Sequence, residues 1–163
     1  LEEVAHTKVL ELEIKNSTAL LDQYKNIVDD SVIVSKADTK GIITYVNDMF
    51  CKISGYSREE LIGKPHNIVR DPNMPSSTFK EIWETIRSKQ IWHGVIHNRT
   101  KQGNLYIVKS SIAPVLDKDG NIIEYIGLRE DITELEQAKE EATSLAKVKG
   151  DFLANMSLSL IQI

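Results

Sequence analysis

The stretch Tyr45–Pro75, YVNDMFCKISGYSREELIGKPHNIVRDPNMP, leaves this chain few folds to choose from. Ile42, Ile43 and Tyr45 read as a β-rich run, after which Asn47 or Asp48 offers a side-chain oxygen to the orphan amides of a helix carrying Phe50, Cys51 and Ile53. Gly55 ends that helix. Ser57 and Glu60 form a capping box for a further helical turn, which stops at Gly63 before Pro65. The order is strand, helix, turn, helix, irregular loop. A compact helical connection of this kind, hung on a sheet, makes the wall of a small-ligand pocket.

With 163 residues, 41% of them hydrophobic, the chain can bury one core and still spend residues on helical extensions. A net charge of −4 with lysines interspersed among acids leaves no basic stripe, which disfavours nucleic acid as a partner. No apolar run approaches the roughly 18 residues that span a bilayer, and Leu1–Leu10 lacks a signal-peptide pattern, so this segment is expected to be cytoplasmic and without membrane contact. The single cysteine cannot form an internal disulfide.

The YVNDMFCKISGYSREELIGKPHNIVR run resembles the first half of a PAS domain, and the second half of that family follows in order. Trp92-His93-Gly94 opens a strand, Lys101-Gln102-Gly103 is a hairpin, Ser110–Leu116 a long strand, Asp119-Gly120 a turn, and Gly127–Thr133 resembles the Asp-Ile-Thr junction that closes such domains. The resemblance spans about Ile27 to Thr133. It implies an α+β fold, a five-stranded antiparallel sheet with short helices on one face. The expected organisation is a signalling helix at 1–29, the sensor at 30–133 and a second signalling helix at 134–163.

Both flanks carry apolar seams at alternating spacings of four and three: Leu10, Ile14, Ser17, Leu21, Tyr24 and Val28 before the domain; Ile132, Leu135, Ala138, Ala142, Leu145, Lys149, Phe152 and Met156 after it. Either helix could fold back over the sheet. Polar residues such as Ser17 and Lys149 suit a dynamic parallel homodimer better, with the paired helices carrying the signal. Lys149–Ser157 also resembles the start of the dimerisation helix of sensor histidine kinases, which implies a downstream kinase domain in a longer parent. Leu158 stands where that family has its phosphoacceptor His, so this stretch cannot phosphorylate itself.

Within the PAS family, Pro65–Pro75 and Trp92–Arg99 are most similar to the flavin-binding domains of the aerotaxis type, whose loop reads Arg-His-Pro-Asp-Met-Pro. That likeness implies FAD, or failing it another small ligand or none, and a cofactor-binding set of Asn47, Arg70, Asn73, Phe79, Trp92 and Asn98. Arg70 would supply a forked cation for a pyrophosphate, an Asn the donor and acceptor edge for a flavin ring, and Trp92 an aromatic wall. The family's His and Asp are Asp71 and Asn73 here, so a carboxylate is expected beside the phosphates unless Arg70 neutralises it.

Other chemistries find less support. Strand alternation puts Trp92, Gly94, Ile96 and Asn98 on one face and His93, Val95, His97 and Arg99 on the other, so if Trp92 and Asn98 face the pocket, His93 and His97 do not. His66 is then the only candidate haem ligand, and after Pro65 it reads better as a capping or loop residue. The light-sensing relatives keep an Asn-Cys-Arg motif where this chain has Asn67-Ile68-Val69-Arg70, and a Gln where it has Arg129; Cys51 reads as a small buried apolar residue. No cysteine and histidine cluster suggests a metal, and no nucleophile motif or phosphate loop suggests catalysis. The expected function is ligand or redox sensing in a two-component sensor kinase, with Asp131 and Thr133 capping the following helix, Ile132 starting its seam, and the three passing movement of the sheet to that helix. The alternatives are an aerotaxis-type chemoreceptor input and a ligand-free dimerisation module.

Overall fold

The computed structural model describes residues 1–162. A long helix α1 (Glu2–Ser31) leads into strand β1 (Ile33–Ala37), which turns back as β2 (Ile43–Val46). The connection that follows holds α2 (Asp48–Ser54), α3 (Arg58–Leu61), a single 3-10 turn (His66–Val69) and α4 (Ser76–Arg87). Three longer strands close the sheet, β3 (Trp92–Arg99), β4 (Leu105–Leu116) and β5 (Ile122–Asp131), before α5 (Thr133–Ile161). The five strands lie in the order β2-β1-β5-β4-β3, every neighbouring pair antiparallel. This is the expected α+β PAS architecture, with β5 at the centre of the sheet.

Local chemistry explains the connection. Asn47 caps α2 by accepting from the Phe50 amide, and Gly55 ends it in the left-handed region at φ 77°. Both halves of the Ser57–Glu60 capping box are present. In α4, Phe79, Ile82, Trp83 and Ile86 recur at helical spacing, and this stripe faces the sheet, with Ile82 and Ile86 buried. Phe50, Leu61 and Val69 join Ile43, Val46 and Val108 in one core between the sheet and these short helices.

The flanking helices do not fold back over the sheet. Neither α1 nor α5 has a buried residue, and Ile14, Leu21, Leu145 and Phe152 are all more than 60% exposed. Two details of the sequence reading are corrected at the junction. Ile132, expected to start the exposed seam, is instead buried in the core, its amide donating to the Ile107 carbonyl at 2.9 Å. Thr133, expected to cap α5, turns its hydroxyl to accept from the Ile107 amide at 2.9 Å, because β4 passes directly beneath it. Only Asp131 acts as a cap, accepting from the Thr133 amide at 3.0 Å and from its hydroxyl.

Candidate functional site

Between the sheet and the short helices lies a cavity of about 270 Å³. Its walls are mostly apolar: Ile96, Ile112 and Tyr125 from the sheet, Phe50 from α2, and Phe79 and Trp83 from α4. The exposed lining residues Lys40, Pro65 and Asn67 mark its opening. Pockets for drug-sized ligands begin near 300 Å³, so this one suits a single flat ring system.

The polar wall begins at Arg129, 8% exposed on β5. Its Nη1 donates to Ser35 Oγ at 2.8 Å across the β1–β5 pair, and its guanidinium lies 5.9 Å from the Phe50 ring centroid. Ser35 Oγ is in turn 2.9 Å from His66 Nε2. The hydroxyl accepts from arginine and has its one proton left to give, so His66 is assigned the Nδ1–H tautomer, with Nε2 bare and accepting from Ser35. Burial, reinforced by the charge of Arg129, pushes the His66 pKa down to about 3, so the ring is neutral at ordinary pH. Burial also lowers Arg129 to about 10, which still leaves it a cation. Gly127 makes room for that guanidinium, because a Cβ there would stand 2.7 Å from both of its terminal nitrogens.

Of the residues expected from the sequence, Arg70, Phe79 and Asn98 come together on the cavity wall. The Arg70 guanidinium stacks 3.4 Å above the Phe79 ring centroid, its Nε buried without a partner. The Asn98 amide is assigned with its nitrogen donating to the Val69 and His97 carbonyls, each at 3.2 Å, which ties β3 to the 3-10 turn. Beside it, burial pushes the Tyr106 phenol up to about 12 despite the nearby Arg129 and Asn98.

The other three lie elsewhere. Asn47 is sealed into the joint between α1, β1 and α2, Asn73 is exposed on the loop before α4, and Trp92 sits in the core with Nε1 donating to Glu81 at 3.3 Å. Trp92 occupies the face that strand alternation assigns it, yet its ring folds back over Gly94, where a Cβ would meet it at 2.4 Å. Asp71 does not pair with Arg70: its carboxylate turns away from the cavity to Arg99, 3.2 Å distant. Burial alone would raise that carboxyl, but the Asn73 amide and Arg99 outweigh it and hold the pKa below the usual range. The repulsion expected between Asp71 and a bound phosphate therefore has no source inside the cavity.

Tested against a flavin, the residues fit the ring and not the whole dinucleotide. The volume, the Arg70–Phe79 face and the amide of Asn98 suit an isoalloxazine, while the diphosphate and adenine of FAD would have to lie at or beyond the opening.

Residues 29–134 match the family described as PAS domain. The chain is 37% identical over 115 residues to the aerotaxis receptor of Escherichia coli, covering 71% of this chain and 22% of that one. It is 33% identical over 103 residues to the nitrogen fixation regulatory protein of Klebsiella pneumoniae, covering 63% and 21%. It thus spans about a fifth of the length of these curated relatives. Among solved structures, the PAS domain of a protein from Colwellia psychrerythraea superposes with a TM-score of 0.64 at 24% identity, covering 71% of this chain and 98% of that one. The LOV domain of a blue-light activated histidine kinase from Erythrobacter litoralis gives 0.58 at 20%, covering 63% and 96%.

Proposed function

The chain belongs to the PAS domain family, and from that premise we propose that it is the sensing module of a two-component sensor histidine kinase, holding a small flat ligand and passing its state through β5 into paired helices. As a PAS domain it is a sensory unit, not a catalytic one. One observation carries the proposal. The strand that lines the cavity with Tyr125, Gly127 and Arg129 is the strand that ends at Asp131 and runs into α5.

A flavin ring is one flat cofactor the pocket accommodates, and when bound it would supply a centre whose charge and protonation follow its redox state. The chain's own part is positional. Arg70 and Phe79 offer a flat stacking face, Asn98 ties β3 to the pocket floor, and Arg129 anchors β5 to β1 through Ser35. Any shift of β5 reaches Asp131 within two residues, and α5 is pinned there to β4 through Ile132 and Thr133. The exposed apolar residues of α1 and α5 would be covered by a second copy in a parallel coil. The resemblance of Lys149–Ser157 to a kinase dimerisation helix supports the output assignment.

The decisive measurement is made on the purified protein: a visible absorption spectrum, and mass spectrometry of whatever heat denaturation releases. Flavin bands in the blue, or a released flat organic molecule, are the expected results. A colourless protein that releases nothing and whose melting responds to no small molecule would leave only the dimerisation module. For the transmission step, Asp131→Ala removes the acceptor of the Thr133 amide and should cost about 1 kcal/mol of stability, yet make output of the full-length parent insensitive to stimulus. Unchanged signalling would remove Asp131 from the route. The similarity to an aerotaxis receptor favours a second reading, the same module at the input of a chemoreceptor; phosphoryl transfer by the full-length parent separates the two.

A further inference from the structure

The cavity holds two guanidiniums and nothing to neutralise them. Arg129 is more than nine-tenths buried, and among the described residues its recorded hydrogen bond is to the neutral hydroxyl of Ser35, with no carboxylate in an ion pair with it. Arg70 lines the same cavity with a buried, unpartnered Nε, and it likewise has no acidic partner among the described residues. None of the residues lining the cavity is Asp or Glu. Three acids of the adjoining elements are engaged elsewhere: Asp71 with Arg99, Glu81 with Trp92 and Asp131 with Thr133. Lys40, at the opening, adds a further positive charge.

A buried cation without a counter-charge is costly, and folded proteins keep one where something else supplies the charge. The surroundings of Arg129 are arranged to keep it in place. Gly127 clears its volume, Ser35 orients one terminal nitrogen, and His66 is held neutral and accepts from Ser35, so that chain of bonds stops at the histidine without bringing a negative group. A guanidinium fork matches the two oxygens of a carboxylate. The rest of the wall is apolar and aromatic.

We propose that this cavity is a site for an organic anion, a flat apolar body bearing a carboxylate, whose charged end lies on Arg129 with Arg70 on the opposing wall. This rests on the reading of the chain as a ligand-binding PAS sensor and names the class of molecule it senses. Neutralising Arg129 at the end of β5 that leads to Asp131 would make the charge of the ligand the signal.

The test uses the full 163-residue chain, with indole-3-acetate and 2-naphthoate as probes and their primary amides as uncharged controls of the same shape. Thermal shift and titration calorimetry should show the acids binding at least about tenfold tighter than the amides, the margin expected of a charge-assisted pair. Arg129→Gln should erase that preference, and Arg129→Lys should keep part of it. Should Arg129→Gln fail to fold, Gly127→Ala serves instead, since its methyl displaces only the flexible end of Arg129 and should weaken the acids while sparing the amides. The proposal is overturned if acids and amides bind alike, if no acid binds, or if the protein carries a flavin that Arg129→Gln leaves fully bound. In the first and last of these outcomes ligand binding itself still stands, whereas a protein that binds neither acid, amide nor flavin loses the sensor reading as well.

Discussion

Replacing Asn47 with alanine should cost about 3–5 kcal/mol, a large share of the 5–15 kcal/mol typical of a domain. The side chain is 3% exposed, and all its polar capacity is used. Oδ1 accepts from the Val34 and Phe50 amides, both at 3.0 Å, while Nδ2 donates to the Asp29 and Val32 carbonyls at 3.1 and 2.7 Å. One amide thus closes three elements: the end of α1, the start of β1 and the N-terminus of α2. Loss of the helix cap alone is worth about 1 kcal/mol, and each further buried group left without a partner adds about 1–3 kcal/mol. Asn47→Asp tells the two halves of the amide apart. It keeps the acceptor for the two amides but sets a second oxygen against two carbonyls, so it should rescue little. Urea denaturation with an unchanged m-value checks both variants, and a loss below about 1 kcal/mol for alanine would contradict the clasp. If Asn47→Ala also reduces ligand occupancy, the cause is the displacement of Phe50, a lining residue that its cap holds in place.

That dual outcome bears on what could be read from the sequence. The turn chemistry was legible because it is local: Ser57 with Glu60, Gly55 and the alternation along β3 each involve residues a few positions apart. Alternation assigns a face, however, and not a depth. It puts Trp92 and Asn98 on the same side, but Trp92 packs under α4 while Asn98 reaches the cavity. The polar centre of the site was not legible for a different reason. Ser35 and Arg129 are 94 positions apart and Ser35 and His66 are 31 apart, joined only once β1 pairs with β5 and the 3-10 turn settles beneath them. From the sequence, Arg129 reads only as the residue that replaces a photochemical Gln, and His66 as a capping or loop residue or the one candidate haem ligand. The available signal is one cationic residue in a closing strand whose other charged residues, Glu124, Glu130 and Asp131, are all acidic.

Lowering the pH from 6.5 to 4.5 should remove about 2–3 kcal/mol of stability, and His66→Gln should abolish most of that loss. In the folded protein the ring titrates near 3, against 6.5 for the free side chain. Between those values the unfolded chain binds a proton that the folded chain refuses, so stability is fully present above about 6.5 and falls as acid is added. The carboxyls held low by hydrogen bonds and charge, Glu60, Asp71 and Asp117, work in the same direction but only from the ordinary carboxylate range downward, which leaves most of this window to the histidine. Glutamine preserves an acceptor for Ser35 without a titrating group, so the contact survives while the proton uptake is lost. The two proteins, compared by denaturant titration at half-unit pH steps, should differ in slope, the native chain falling about 2–3 kcal/mol further than the variant by pH 4.5. Parallel slopes would mean that the ring is reached by water and is not held neutral. Protonation of Nε2 would leave Ser35 with no acceptor for its proton and set a second cation beside Arg129, so the same measurement reports how closely the cavity tolerates positive charge. An anion seated on Arg129 should therefore soften the acid loss in the native chain, and do so in proportion to its occupancy.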